Sequence, residues 1–221
     1  MSAVQIIPAI LSDSSTTVQE QINRIITESA TRRVQIDIVD PSFADESTIF
    51  PVDLLEMDLK GLSVDIHLIT NDPIDELVEC GHVPGITNVI AQIERMDSQI
   101  EYIRRCQEFG LHPGFSLDLY TPVDSIEEEV FSELSVIQVM GNKAGVQGQE
   151  FAGARILEKI QQLSDIQKKK QASFVISVDI GMTPETAINC IEAGAGMIVV
   201  GSFLWGASNL QSAIEAFSVS P

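Results

Sequence analysis

Four carboxylates and an imidazole stand at or near the ends of short apolar runs. Asp37 lies in Val34–Val39 with Asp40 just beyond it. Asp65 and His67 close the run Leu62–Ile69, and Asp179 closes Phe174–Asp179. Singly, each has an ordinary explanation. An Asp after a strand often caps the next helix, and a lone His is more often a core or surface residue than a ligand. Converging on one mouth, they could do chemistry. Two carboxylates on opposite sides of a substrate carbon exchange a proton as base and acid, and a divalent metal beside them stabilises an enediolate. Glycine-rich turns add a second set: Gly145-Val146-Gln147-Gly148-Gln149, Asp179-Ile180-Gly181 and Gly201-Ser202. Backbone N–H groups in such turns cradle phosphate, although glycine also serves plain turns.

These residues need a scaffold, and the spacing of apolar runs describes one. Ile6–Leu11, Val34–Val39, Leu62–Ile69, Ile86–Ile93, Gly114–Leu119, Ser135–Met140, Phe174–Asp179 and Gly196–Val200 read as buried parallel strands. Amphipathic segments lie between them. Val18, Ile22, Ile25 and Ile26 share one helical face, as do Ile156, Leu157 and Ile160. Asp72-Pro73, Thr121-Pro122 and Thr183-Pro184 mark helix starts, and Gly110 and Gly194 mark stops. Eight such units without a long linker predict one α/β domain over residues 1–221, a (β/α)8 TIM barrel. A doubly wound sheet is the alternative on pattern alone. Alternation puts Gln35, Asp37 and Val39 on one face of their strand, and Asp65 and His67 on one face of theirs. Which face looks inward is left open by the pattern.

Composition narrows the function. Apolar residues are 44% of the 221, and the formal net charge is −19. That charge argues against nucleic acid and anionic membrane surfaces as partners. It also means that an anionic substrate must be held locally, by backbone N–H groups or a metal. Cys80, Cys106 and Cys190 form neither a zinc pattern nor a disulfide framework, so buried, reduced thiols are expected. Met1–Gln5 lacks the features of a signal peptide and no apolar stretch is of membrane length, so a cytoplasmic location is expected. Ser164–Gln171 reads as a solvated helix end.

Several of these segments, in one order, resemble the ribulose-phosphate 3-epimerase family. Pro8-Ala9-Ile10-Leu11-Ser12 is similar to its Pro-Ser-Ile-Leu-Ser. Gln35 to Asp40 resembles His-x-Asp-x-Met-Asp, and Asp65-Ile66-His67-Leu68 resembles Asp-Val-His-Leu-Met. Thr121-Pro122, the stretch from Val139-Met140 through Gly145, Gly148, Gln149 and Phe151, Val178 to Gly181, Glu192 to Ala195, and Val200-Gly201-Ser202 follow in family order. The resemblance implies a metal-assisted epimerase of the pentose phosphate pathway, an isomerase acting on a phosphorylated ketose. It implies Asp37 and Asp179 as the acid/base pair, and Gln35, Asp37, His67 and Asp179 as the metal set. Met140, Gly145, Gly148, Gly181, Gly201 and Ser202 become its substrate and phosphate contacts. Separately, the helical faces could form an interface between copies, so a homo-oligomer is expected.

The departures gather at the same place. Gln35 stands where the family has His, so the divalent cation (Zn, Mn, Fe or Mg) is expected to bind weakly or to be lost. Ala9 replaces a serine, Ile69 a methionine, and Gln92 stands near a position that is often His. Ile180 and Gln147 replace glycines of the phosphate loops. Ile180 keeps a backbone N–H for phosphate, but its side chain could block the ligand. Three functions follow: an epimerase interconverting D-ribulose 5-phosphate and D-xylulose 5-phosphate, a diverged non-catalytic sugar-phosphate binder, and a related hexulose-phosphate lyase.

Overall fold

The computed structural model describes residues 4–44, 46–145 and 150–217. Eight parallel strands close into a barrel in chain order, with the last paired back to the first. They are β1 (Gln5–Ile10), β2 (Arg33–Val39), β3 (Ser63–Ile69), β4 (Ile86–Gln92), β5 (His112–Leu117), β6 (Val136–Met140), β7 (Val175–Asp179) and β8 (Met197–Val200). Every expected strand is present, with ends shifted by at most two residues. Ile36, Ile38, Ile66 and Leu68 point outward into the core beneath the helices. Their alternates Gln35, Asp37, Asp65 and His67 therefore point inward, which settles the face that alternation left open. Ile7, Ala9, Ile90, Val136, Met197 and Val199 form a separate apolar cluster inside the barrel. On β4 and β6 its members precede Gln92 and Gln138 by one inward position, so this plug lies under the polar residues and closes the floor of the site.

Helix boundaries follow local chemistry. The first helix, α1 (Ser15–Glu28), starts where Ser14 Oγ accepts from Thr17 N, and it buries Val18, Ile22 and Ile25. Ile26 is only partly covered. Three more follow: α2 (Ile74–Cys80), α3 (Gln99–Glu108) and α4 (Ala154–Lys170), the last ending in exposed lysines as expected. Thr183 caps α5 (Pro184–Ala193), and two short helices, α6 (Ser202–Trp205) and α7 (Leu210–Glu215), complete the ring. Gly110 and Gly194 end α3 and α5 at φ +70° and +124°, a backbone region that favours glycine.

One expected start fails. Thr121-Pro122 opens no α-helix but two 3-10 turns, Val123–Ser125 and Glu128–Val130. Asp124 and Glu128, and Glu129 and Glu133, would each stack at i,i+4 in a helix, where like charges repel. The turns still cover the barrel, because Val123, Ile126, Val130 and Phe131 are buried. All three cysteines are free and buried, and burial raises each thiol's pKa.

Candidate active site

Strand register assembles the site. Asp37 lies opposite His67 across β2 and β3, and Met140 lies opposite Asp179 across β6 and β7. One ligating atom from each of Asp37, His67 and Asp179 lies within 4.8 Å of the other two, and all three residues are buried. Gln35 comes from the inward position before Asp37. Its Nε2 donates to Asp37 Oδ1 (2.8 Å) and to Asp179 Oδ2 (2.9 Å), joining the carboxylates across the barrel. Gln138 Nε2 stands 3.3 Å from His67 Nδ1 and 3.5 Å from Asp179 Oδ2, while its Oε1 accepts from Ser177 Oγ. Gln138 was not singled out by the sequence reading. Its signal was a fully polar side chain in the middle of the apolar strand Val136–Met140.

The Gln92 amide fixes the imidazole. It is satisfied on both sides with Nε2 donating to Glu94 Oε2 (2.8 Å) and Ser116 O (3.3 Å), and Oε1 accepting from Ser116 Oγ (3.1 Å) and His67 Nε2 (3.2 Å). His67 Nε2 then carries a proton, so in the neutral ring Nδ1 is bare. Yet Nδ1 sits 3.1 Å from Asp37 Oδ1. A proton or a metal between them would join these two acceptors, which otherwise face the N–H₂ groups of Gln138 and Gln35. The donor set therefore fits a divalent cation held by Asp37, His67 and Asp179. Gln35, expected as the fourth ligand, presents its N–H₂ rather than its oxygen, because two carboxylates face it. To ligate, the amide must turn over and give up both hydrogen bonds.

Asp179 has its pKa pushed up to about 7, first by burial and then by the negative charge of Asp37. His67, the Ile180 N–H and the Gln35 amide oppose the rise. A carboxyl that keeps its proton near neutral pH beside a second carboxylate can serve as acid to the other's base.

The cleft above the triad is lined by Met140, Gly145, Gly181, Gly201 and Ser202, all expected there, and by Ala9, Leu11, Ile69, Ile180 and Met182. Leu11 and Met182 were not foreseen. Two of the glycines have packing reasons. A Cβ on Gly145 would lie 2.7 Å from Ala44 Cβ, and one on Gly181 would lie 2.5 Å from Phe151 N, both at positive φ. Ile180 has φ +72°, a region costly for a β-branched residue. Its N–H donates to Asp179 Oδ1 at 2.6 Å and is engaged within the site in this conformation. Its side chain packs at the mouth beside Val39, Ala44, Ile69 and Met140. Gly148 lies outside the described residues.

Two acids drop out of the site. Asp65 is not at the strand's end. It lies deeper, with Oδ2 2.8 Å from Arg33 Nε and Oδ1 2.7 Å from Asn88 Nδ2. Asp40 accepts from the Ser42 backbone N–H and hydroxyl in its own loop.

Residues 5–205 match the ribulose-phosphate 3 epimerase family. A ribulose-phosphate 3-epimerase of Bacillus subtilis (strain 168) is 29% identical over 214 residues, covering 96% of this chain and 97% of its own. A ribulose-phosphate 3-epimerase, cytoplasmic isoform, of Oryza sativa subsp. japonica is 30% identical over 220 residues, covering 97% and 93%. Among solved structures, a mutant tryptophan synthase α-subunit from the hyperthermophile Pyrococcus furiosus superposes with a TM-score of 0.69 at 12% identity, over 97% of each chain. That likeness concerns the barrel alone.

Proposed function

The chain belongs to the ribulose-phosphate 3 epimerase family, and from that membership and the buried carboxylate pair we propose that it epimerises a ketose phosphate at C3. The proposed reaction interconverts D-ribulose 5-phosphate and D-xylulose 5-phosphate. The observation that carries the reading is that Asp37 and Asp179 face each other across one buried amide, with Asp179 inclined to hold a proton near neutral pH. One carboxylate removes the C3 proton from one face, and the other returns a proton to the opposite face. The apolar mouth formed by Ile69, Met140 and Ile180 excludes water from the exchange.

A divalent cation held by Asp37, His67 and Asp179 would polarise the C2 carbonyl and the C3 hydroxyl. Gln35 weakens that site relative to an imidazole ligand, because an amide oxygen is a weaker donor than an imidazole nitrogen and its N–H₂ is already engaged. The resulting set favours oxygen-preferring ions such as Mn²⁺ or Mg²⁺ over Zn²⁺. The phosphate would rest against Gly181, Gly201 and Ser202. A cytoplasmic homo-oligomer remains part of the proposal; no helix among the described residues is long and apolar enough to cross a membrane.

The test is exchange in D₂O. Protein with ribulose 5-phosphate, with and without Mn²⁺, is quenched, freed of metal and examined by NMR for loss of the C3 proton. Exchange with appearance of xylulose 5-phosphate is expected. Absence of exchange in folded protein under every metal tried would overturn the reading. One observation favours a second function. Ile180 packs its side chain at the mouth and its N–H is committed to the Asp179 carboxylate, which suits a site that holds a sugar phosphate without turning it over. Tight binding without exchange would mark that case.

A further inference from the structure

The polarity of one amide decides whether the His67 face toward the carboxylates is open, and that amide is held from outside the barrel. Glu94 lies beyond the end of β4 and is exposed. Its Oε1 accepts from Asp118 N (2.8 Å) and its Oε2 from Gln92 Nε2 (2.8 Å). A carboxylate only accepts, so Glu94 compels Gln92 to turn its N–H₂ outward and its oxygen toward His67 Nε2. With the amide reversed, Nε2 of Gln92 would face Nε2 of His67. The imidazole would then move its proton to Nδ1 and donate it to Asp37 Oδ1, 3.1 Å away. The nitrogen that completes the cation set would be closed.

We propose that Glu94 is a positioning residue which, through Gln92, keeps the His67 proton on Nε2 and Nδ1 open to a divalent cation. This rests on the reading of Asp37, His67 and Asp179 as a cation site and is independent of which ketose phosphate is turned over. The surroundings suit Glu94 to the task. Lys159 Nζ donates to Asp118 O (2.5 Å); burial lowers its pKa to about 8, while the charges of Glu94 and Asp118 favour its protonated form. Asp118 Oδ1 in turn accepts from Ala144 N (3.1 Å), which ties the same assembly to the loop after β6.

The discriminating variant is Glu94→Gln. It keeps the volume and an oxygen for Asp118 N, but presents a donor to Gln92 and so reverses that amide. Adding Gln92→Glu restores an acceptor toward both neighbours and should rescue the original state. The first readout is the ¹⁵N spectrum of the imidazoles in metal-free protein. With only three histidines in the chain, the His67 signals are those missing from a His67→Gln variant. The wild type should show a protonated Nε2. Glu94→Gln should show the proton on Nδ1 alone, and the double variant should return it to Nε2. The second readout is calorimetric titration with Mn²⁺, where Glu94→Gln should bind about 10–100-fold more weakly, with recovery in the double variant. An unprotonated Nε2 in the wild type, a spectrum unmoved by Glu94→Gln, or failure of the wild type to bind Mn²⁺ overturns the proposal. Neither readout uses substrate, so a failure here is distinct from a failure of the epimerase reading.

Discussion

Asp179 makes the metal-free protein sensitive to pH in a predictable direction. Its folded pKa is raised from 3.8 to about 7, by burial first and by Asp37 second. The unfolded chain releases this proton near the lower value, while the folded chain keeps it until the upper one. Between the two, the folded state binds more protons, so stability falls as pH rises. The contribution is fully present below about pH 4 and is lost as pH passes through about 7. One linked proton sets a slope of about 1.4 kcal/mol per pH unit, or roughly 2–3 kcal/mol between pH 5 and 7. Other carboxylates titrate in the same range, so the comparison to make is with Asp179→Asn. The substitution changes the bonds to Gln35 by an amount independent of pH, whereas the slope reads the titration alone. Thermal unfolding in chelator should show Asp179→Asn gaining on the wild type by about 4–12 °C from pH 5 to 7, at about 2–4 °C per kcal/mol. The gain should level off above pH 7.5. Parallel curves across the whole range would refute the assignment of a raised pKa to this carboxyl.

Three further outcomes are expected. Asp37→Asn should lower turnover of ribulose 5-phosphate by about 10²–10⁴-fold with little change in KM, measured by coupled steady-state assay; retained turnover would remove Asp37 from the exchange. Arg33→Met leaves the buried Asp65 carboxylate without its cation, at a cost of about 3 kcal/mol, so the urea midpoint should drop markedly at pH 7 and far less at pH 4, where Asp65 is protonated more easily. Ile180→Gly relieves a left-handed β-branched residue and should stabilise the fold by about 1 kcal/mol, while tightening inorganic phosphate binding by calorimetry; a lower melting temperature would show that the Ile180 side chain contributes more at the mouth than its backbone conformation costs.

The barrel was legible in the sequence because most strands announce themselves as short runs rich in Val and Ile and bounded by turn residues. The triad was legible because Asp37, His67 and Asp179 interrupt or end three of those runs, and the family resemblance pointed to the same three side chains. Height inside the barrel was not. Asp65 and His67 share a face, but two residues of strand separate them by about 6.6 Å. That distance places one with Arg33 below and the other with Asp37 above. Only the register between strands of different units resolves this, and no single run encodes it. The missing helix after β5 was hidden because Thr121-Pro122 is a sound start signal, whereas the repulsion that defeats it comes from acids further along. Gln138 and the orientation of Gln92 were hidden because an amide's role depends on which of its two ends meets which neighbour.

Gln35, Gln92 and Gln138 surround the triad with three neutral amides, all buried. Gln92 is held in one orientation by Glu94, whereas Gln35 and Gln138 are sizeable dipoles that can reverse by rotating about one bond, without gaining or losing charge. A buried site made of fixed charges suits one occupant and resists others. One walled by reversible dipoles can present positive ends to two bare carboxylates and negative ends to an incoming cation. The barrel centre thus has a local polarisability that its apolar plug and strands lack. Its cost is counted in hydrogen bonds exchanged rather than in ions desolvated. In this chain a change in what the triad holds would be met by orientation, through residues that never ionise.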